Sequence, residues 1–356
     1  MAGLTLLSAL LTGCTSAGYY AQAVNGHLSL MAAARPVTEV IADPQTSDAL
    51  RQRLAQSQDI RRFAVNELLL PDNASYRRYA DLHRPSAVWS VVAAPLDALV
   101  AKTWCYPVIG CASYRGYFSE AEARAEAQAL QAEGLEVIVQ GVPAYSTLGW
   151  LNWAGGDPLL STFIRYPEGE LARMLFHELA HQQVYASGDT AFNESYATAV
   201  ERLGVARWLS MSQASEAARR DYAAFDARRQ AFRQLTRQTR AELAEIYEQN
   251  RQLSLSQAAL TAIKSEAMAR FHQRYRALKS AWAAAGTPYD GYDPWVAGAN
   301  NAFFGIQAAY DGWVPAFETL FAREGGDWAR FHAAVQALAR LPQAERQQRL
   351  RALADG

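Results

Sequence analysis

The stretch LARMLFHELAHQQVYASGDTAFNESYATAVERLGVARWL, from Leu171 to Leu209, decides how the centre of this chain folds. His177 and His181 are four residues apart in an apolar, helix-forming run, and Glu178 lies between them. Residues four apart on an α-helix lie on one face, one turn from each other. Two imidazoles placed in this way can bind one small cation. HExxH is the spacing in which two histidines bind zinc and the glutamate acts as general base. The sequence therefore predicts a metal site on this helix.

A third ligand is expected from the next helix. That helix is predicted to begin near Phe192, after the chain-breaking residues Ser187-Gly188-Asp189. It carries Glu194 and Glu201, which are two turns apart on one face. Because a short connection makes consecutive helices antiparallel neighbours, one carboxylate can complete a His₂Glu site and leave a fourth position for water. Glu194, Glu201 and Asp189 are the candidates for this carboxylate.

The strings HELAH and NES-x-A resemble the gluzincin metallopeptidases, the thermolysin-like and aminopeptidase-N-like group. In aminopeptidase-N-like members an Asn-Glu dipeptide supplies the third ligand and a further Glu follows seven positions later, as in NESYATAVE from Asn193 to Glu201. The resemblance implies that the zinc ligands are His177, His181 and Glu194. It also implies that Glu178 is the general base and that Glu201 supports a histidine ligand from behind. Only twelve residues separate His181 from Glu194, so the loop between the helices must be tight.

Two further points concern the chemistry of such a site. The metzincin class is excluded, because Ser187 stands where its third histidine would be. Related enzymes stabilise the developing oxyanion with a Tyr or His from downstream sequence. The candidates here are Tyr310, Tyr292 and Tyr145. Tyr310 is the first choice, because the family-like string NNAFFGIQAAY contains it.

A second resemblance covers nearly the whole chain and is to a family of bacterial lipoproteins described as predicted aminopeptidases. It rests on the strings GYYAQAVNGHLSLM, RRFAVNELLLPDNASYRRYADL, WCYPVIGCASYRGYF, AYSTLGW, FHELAHQ and FNESYA. It implies a zinc-dependent hydrolase with one Zn²⁺ per chain and a peptide substrate, most simply an aminopeptidase. A GxMEN-like string, which aminopeptidase-N-like enzymes use, is absent. A zinc endopeptidase acting on cell-envelope proteins, or a non-catalytic envelope lipoprotein, are the alternatives.

The N-terminus resembles a lipoprotein signal peptide. The apolar run from Leu4 to Leu11 is too short to span a bilayer but suits a signal-peptide core. The sequence Leu11-Thr12-Gly13-Cys14 resembles a bacterial lipobox. This implies cleavage after residue 13, lipidation of Cys14 and attachment to the membrane through the acyl chains. Because Thr15 is not the Asp that commonly retains lipoproteins at the inner membrane, the expected location is the outer membrane, facing the periplasm.

Composition and cysteine usage agree with an envelope protein. The net charge of −1 excludes a general nucleic-acid binder, which would carry a basic surplus. In an oxidising periplasm Cys105 and Cys111, which flank the sequence YPVIG, are predicted to form a small-loop disulfide. Two free thiols are the alternative. A thiolate metal site is less plausible, because no neighbouring Cys or His completes it.

The expected fold class is α+β and mainly α-helical. It has a gluzincin-like helix pair, a small β-sheet and a long C-terminal helical hairpin. Residues 18–55 should be mainly helical with a break at Pro36, and further helices are predicted over 46–64, 119–133, 219–250 and 256–282. Strands are predicted over 86–94, 135–139 and 159–166, the last as an edge strand that pairs with substrate, and a loop over 286–298. The predicted domains are a signal peptide (1–13), a metallopeptidase core (14–211) and a helical C-terminal part packed on it (212–356).

Overall fold

The structure, a computed structural model, describes residues 2–106, 110–149, 152–211 and 214–354. Its fold is α+β and mainly helical, which confirms the predicted class. The helices are α1 (Ala2–Ala33), α2 (Val37–Ala42), α3 (Asp48–Glu67), α4 (Glu120–Ala132), α5 (Glu168–Gln183), α6 (Thr190–Met211), α7 (Glu216–Leu253), α8 (Gln257–Ala284), α9 (Asp293–Ala297), α10 (Asn301–Asp311), α11 (Val314–Arg323), α12 (Trp328–Ala339) and α13 (Gln343–Ala354). The strands are β1 (Arg35–Pro36), β2 (Arg78–Ala80), β3 (Val88–Ala94), β4 (Trp104–Tyr106), β5 (Gly110–Ala112), β6 (Arg115–Tyr117), β7 (Glu136–Val142) and β8 (Leu159–Leu160).

The long helices form where apolar residues recur at helical spacing. Helices α3, α4, α7 and α8 confirm the corresponding predictions. Serine side chains cap the first turn of each, and they are Ser47, Ser119, Ser215 and Ser256. A capping hydroxyl accepts from a backbone N–H that the helix itself cannot pair, so each of these helices has a defined start.

Helix α1 ends at Ala33, before Pro36, as predicted. Its apolar stripe does not face the core, because Tyr20, Val24 and Leu28 are exposed. The inner face instead uses Gln22, whose amide bonds the backbone on both sides of β6, and Leu30, which is buried. None of the described helices combines the length and the hydropathy that crossing a bilayer would need.

The strands form small sheets. Strand β3 pairs antiparallel with β6 and β7, and α4 packs on this sheet. Strand β8 pairs parallel with β2, which also pairs with β1. The predicted strand over 159–166 is wrong beyond Leu160. The backbone N–H of Ile164 donates to the carbonyl of Leu160, and this turn buries the side chains of Phe163 and Ile164. Burial of two large apolar side chains outweighs the β propensity of the segment.

A disulfide closes the hairpin formed by β4 and β5. Cys105 and Cys111 are direct cross-strand partners and are joined, with a Cα–Cα distance of 3.9 Å. Both cysteines are exposed, so the bridge staples a surface hairpin and does not pack in the core. The loop residues 107–109 lie outside the described part of the chain.

Helices α5 and α6 lie at the centre of the largest apolar core. They are antiparallel, because Glu168 near the start of α5 bonds Trp208 near the end of α6, while His181 faces Glu194 at the opposite ends. Phe176 of α5 and Tyr196 of α6 are completely buried, and Tyr196 packs on Phe317 of α11 and Phe331 of α12. Residues of α11, α12 and α13 belong to the same core. The domain boundary predicted at residue 211 stays a prediction.

Helices α7 and α8 form the predicted C-terminal pair and build a second apolar core with α9 and α10. They are antiparallel, since Glu242 on α7 binds both Arg270 and Arg274 on α8. The segment 286–298 was predicted as a loop, which is wrong for Asp293–Ala297. Pro294 in its first turn and the ion pair of Asp293 with Lys279 support a short helix there.

Close contact between α5 and α6 depends on Gly204. A Cβ atom at this position would come 2.9 Å from a ring carbon of Phe176 and 2.7 Å from a methyl carbon of Leu68. Gly204→Val should therefore lower the free energy of unfolding by roughly 1–3 kcal/mol, measured by urea denaturation. Gly116→Val is the control, since a Cβ there meets no atom within 4 Å. Equal stability of both variants would show that α6 can move away from α5 at little cost.

Candidate metal centre

A six-residue loop brings α6 back along α5, and Asn193 holds this loop closed. The Asn193 side chain accepts from the backbone N–H of Ala186 at 2.7 Å and donates to the carbonyl of the same residue at 2.9 Å. Asp189 caps α6 by accepting from the N–H of Phe192, and its other oxygen pairs with Arg346 at 2.6 Å. Both oxygens of Asp189 are thus engaged away from the histidines, which argues against Asp189 as a metal ligand.

The three preferred ligands converge. Nε2 of His177 and Nε2 of His181 are 3.2 Å apart. An oxygen of Glu194 lies 3.3 Å from Nε2 of His177 and 3.7 Å from Nε2 of His181. Tetrahedral zinc with ligand bonds of 2.0–2.1 Å separates its ligand atoms by roughly 3.3 Å. The donor set and its spacing therefore fit a zinc ion bound by two imidazoles and one carboxylate.

Glu201 approaches His177 from the opposite side of the ring. Its Oε2 lies 3.0 Å from Nδ1 of His177, and its side chain is almost fully buried. A proton on Nδ1 donated to this carboxylate leaves the Nε2 lone pair directed at the other two ligand atoms. This geometry favours Glu194 over Glu201 as the third ligand. Nδ1 of His181 is buried and has no hydrogen-bond partner among the described residues.

The local electrostatics favour a positive charge between these groups. Burial acts to lower the pKa of His177, but its bonds to Glu194 and Glu201 prevail and raise it to about 10. Burial lowers the pKa of His181 to about 4, which keeps this imidazole neutral and able to ligate. Without a metal, a proton on His177 therefore balances the two carboxylates, and a bound cation would supply the same charge.

A chain of buried ion pairs continues from Glu201. Arg173 donates to Glu201 and to Glu170, each at 3.0 Å. Glu170 in turn accepts two hydrogen bonds from Arg229 of α7, also at 3.0 Å. The alternating charges run from α7 through α5 to the back of His177. They hold the ring orientation and also dock the C-terminal helices on the core.

Glu178 lies beside the ligand cluster and is only partly exposed. It follows His177 in the helix, so it points about 100° away from that ligand and can approach a water without binding the metal. Burial is the main cause that raises the pKa of Glu178 to about 7, with the charge of His177 opposing it. A carboxylate with a pKa near the working pH can both accept and return a proton.

The three tyrosines considered as oxyanion donors lie in different surroundings. The side chain of Tyr310, on α10, lies outside the described part of the chain. Tyr292 stacks on Phe232 at 4.0 Å in the second core and does not reach the histidines. Tyr145 packs on Phe118 and His27, and Asp157 is the acidic group that faces it. The packing of Tyr292 in the second core disfavours it as a donor.

Sequence reasoning missed three other tyrosines near the site. Tyr114, just after the disulfide hairpin, and Tyr185, just after α5, both have raised pKa values, from desolvation of the hydroxyl and then from the charge of Glu194. Each is about 40% exposed, at 39% and 40%, so they line the open side of the site. Tyr76 is fully buried and faces Glu178. Tyr76 and Tyr114 lie in strings that resemble the lipoprotein family, but those strings hold several tyrosines and single out neither residue.

A polar network borders the site one turn further along α5. Gln182 donates to Asp157 and to Ser75, and its oxygen accepts from Asn73 at 2.7 Å. Ser75 also bonds Asn152. The members come from loops more than seventy residues apart, and only the Gln182 position, next to His181, offered a sequence signal.

The model of a protein family described as "Putative aminopeptidase" matches residues 18–350. The chain belongs to this family. The match spans the described helices from α2 to α12, the helix pair with the two histidines included. Membership supports a peptidase that acts on peptide substrates. No match was found among curated proteins or among solved structures.

Removing the charge of Glu201 should destabilise the fold. Glu201→Gln removes the buried anion that Arg173 and His177 share and leaves Arg173 with Glu170 alone, so the free energy of unfolding should fall by about 3–5 kcal/mol in urea denaturation. Glu120→Gln, which breaks an exposed pair with Arg124, is the control and should change stability little. Equally small effects would mean that the buried charges are not coupled.

The ion pairs of Glu170 predict acid sensitivity. Burial acts to raise its pKa, but Arg173 and Arg229 prevail and lower it. Since the unfolded value is about 4.3, the stabilisation is complete above that pH and is lost as the pH falls toward the folded pKa. Arg229→Met should lower the melting temperature at pH 7. Below pH 4 the melting temperature of this variant should then fall less steeply than that of the wild type. Arg220→Met, at an exposed pair on the same helix, should keep the wild-type profile. Parallel acid profiles for wild type and Arg229→Met would contradict this assignment.

Proposed function

We propose that this chain is a zinc-dependent aminopeptidase. The observation that carries the proposal is the cluster of His177, His181 and Glu194, whose three ligand atoms are spaced as a tetrahedral zinc site requires. Glu178 stands beside this cluster with a pKa near 7, and a purely structural metal site does not need such a group. Family membership supports a peptidase, and the description of the family supports cleavage at the amino terminus.

Each residue has a distinct task in hydrolysis. The two imidazoles and the Glu194 carboxylate would hold the metal, and Glu201 keeps the Nε2 lone pair of His177 directed at it. A bound zinc ion acts as a Lewis acid that polarises the peptide carbonyl and acidifies a water molecule. Glu178 accepts one proton from that water while the water oxygen bonds to the carbonyl carbon of the peptide. The carbon–nitrogen bond then breaks, and Glu178 returns the proton to the leaving amine.

The donor to the developing oxyanion is proposed to be Tyr310. Its helix α10 begins at Asn301, after the capping residue Asn300. Phe303 and Phe304 of α10 are part of the second core. The loop after α10 reaches α6, where Ser195 accepts from the backbone N–H of Trp313. This contact ties the end of α10 to the helix that carries Glu194.

We also propose that the chain is a lipoprotein, anchored through Cys14 at the outer membrane and facing the periplasm. The side chain of Cys14 lies outside the described residues, so the support is the lipobox-like sequence and the Cys105–Cys111 disulfide. Disulfides persist in oxidising compartments such as the periplasm and are rare in the cytosol. Residues 1–13 would then be the signal peptide.

Metal analysis tests the ligand set. The purified wild type should contain one zinc per chain by elemental analysis, whereas His181→Ala and Glu194→Ala should contain almost none. Glu178→Gln should retain zinc, because this side chain is not a ligand. Glu122→Gln, on the exposed face of α4, is the matched control. If substitution of Asp189 or Glu201 removed more zinc than substitution of Glu194, the third ligand would be reassigned to that residue.

Peptide cleavage tests the chemistry. Glu178→Gln should lose at least about 100-fold in kcat, because the general base is removed while the metal stays. Peptides with free and with acetylated amino termini separate an aminopeptidase from an envelope endopeptidase, which would cleave both. A zinc-loaded wild type that cleaves neither kind would favour a non-catalytic lipoprotein.

A further inference from the structure

Asp157 is a buried carboxylate whose hydrogen-bond donors are all neutral. Only 1% of the residue is exposed. Oδ1 accepts from the backbone N–H and the hydroxyl of Thr147, at 2.9 and 2.7 Å. Oδ2 accepts from Ser146 and Gln182, both at 3.2 Å. Among the described residues Asp157 forms no ion pair. His27 acts electrostatically on Asp157, but burial lowers the pKa of this imidazole and favours its neutral form. A buried carboxylate without a charged partner costs free energy, so a cation that reached it would be bound strongly.

The fold holds Asp157 in this position through its backbone. Gly156, at a φ of 65°, lets the loop approach Ser75, where a Cβ atom would lie 2.5 Å from the backbone nitrogen. The N–H of Asp157 donates to the Ser75 hydroxyl, and the N–H of Tyr76 donates to the Asp157 carbonyl. The carboxylate is thus placed rigidly, and Oδ2, with its two long bonds, is the less tightly held oxygen.

A second, independent observation points to a ligand at this place. The hydroxyl of Tyr76 has no hydrogen-bond partner among the described residues, although only 2% of Tyr76 is exposed. Tyr76 also has a φ of 63°, a left-handed conformation that is strained for a tyrosine. Burial is the main cause that raises the pKa of Tyr76, and the charges of Glu178 and Asp157 add to it, so the phenol is close enough to feel both carboxylates. A buried hydroxyl without a partner is costly unless something else supplies the hydrogen bond.

Asp157 is linked to the turn of α5 that follows Glu178. Gln182, which bonds Asp157 at 3.2 Å, is four residues after Glu178 on α5 and hence one turn along the same face. In a peptide the α-amino nitrogen lies only about 2.5 Å from the carbonyl carbon of its own residue. An ammonium group at Asp157 would therefore place the first peptide bond near Glu178.

We infer that Asp157 and Tyr76 form the binding site for the free α-ammonium group of the substrate. Oδ2 of Asp157 accepts from the ammonium and supplies the opposite charge, while the Tyr76 hydroxyl accepts a second of its hydrogens. An acetylated amino terminus has no charge and fewer donors, so it gains little at this site. The proposal deepens the proposed aminopeptidase function by assigning its preference for free amino termini to these two residues.

Ligand binding tests the site without requiring hydrolysis. Calorimetry compares L-leucinamide with N-acetyl-L-leucinamide on the full chain. Asp157→Asn should weaken leucinamide binding by about 30-fold or more, because one member of a buried charge pair is removed. Tyr76→Phe, which breaks no hydrogen bond among the described residues, should weaken it by roughly two- to tenfold. Neither change should affect the acetylated compound, and Asp59→Asn, an exposed carboxylate on α3, is the matched control. Unchanged leucinamide binding in both variants overturns the proposal.

Cleavage of a free tripeptide and its acetylated form gives the second readout. Asp157→Asn should lower kcat/KM by about 30-fold or more on the free peptide only. An equal loss on both peptides, with zinc content and melting temperature retained, would make Asp157 structural and overturn the proposal. If wild type cleaves neither peptide but binds leucinamide through Asp157, the proposed peptidase function fails while the ammonium site stands.

Discussion

The neutralisation of buried charge between α5, α6 and α7 is the constraint on which the rest of the structure depends. Glu170, Arg173, Glu201 and Arg229 are largely removed from water, where a lone charge would cost several kcal/mol. Their alternation in sign therefore determines how the three helices can pack. It fixes the register of α5 against α6, brings α7 onto the core and orients the ring of His177. Stability and the geometry of the site depend on the same contacts.

The candidate metal centre follows from this packing together with one tight loop. Asn193 closes the loop with two backbone hydrogen bonds, so Glu194, the next residue, lies near the start of α6 and faces His181. The short loop therefore restricts the position of Glu194 relative to the two histidines. On the open side, Tyr114 and Tyr185 border the cluster, and on the inner side the network of Gln182 leads to Asp157. The site thus has one wall open to substrate and one wall of buried polar groups.

Much of this architecture could be predicted from local sequence. Helical spacing and helix-forming composition predicted α3, α4, α7 and α8, and the spacing of His177, His181 and Glu194 predicted the cluster. Predictions failed where tertiary burial competes with local preference. The segment after Leu160 has β propensity but turns to bury Phe163 and Ile164, and the apolar stripe of α1 faces outward because polar contacts of Gln22 and the burial of Leu30 orient the helix.

The sequence by itself determined the helices, the HExxH helix face and the two candidate carboxylates, because these depend on contacts between residues a few positions apart. Only the tertiary structure decided which carboxylate reaches Nε2 and which reaches Nδ1 of His177, since both lie on one face of α6. The tertiary structure alone brought Tyr76 and Asp157, which lie in loops about eighty residues apart, close to Glu178 on α5. Such encounters depend on the complete packing of the chain, so no short pattern in the sequence can record them.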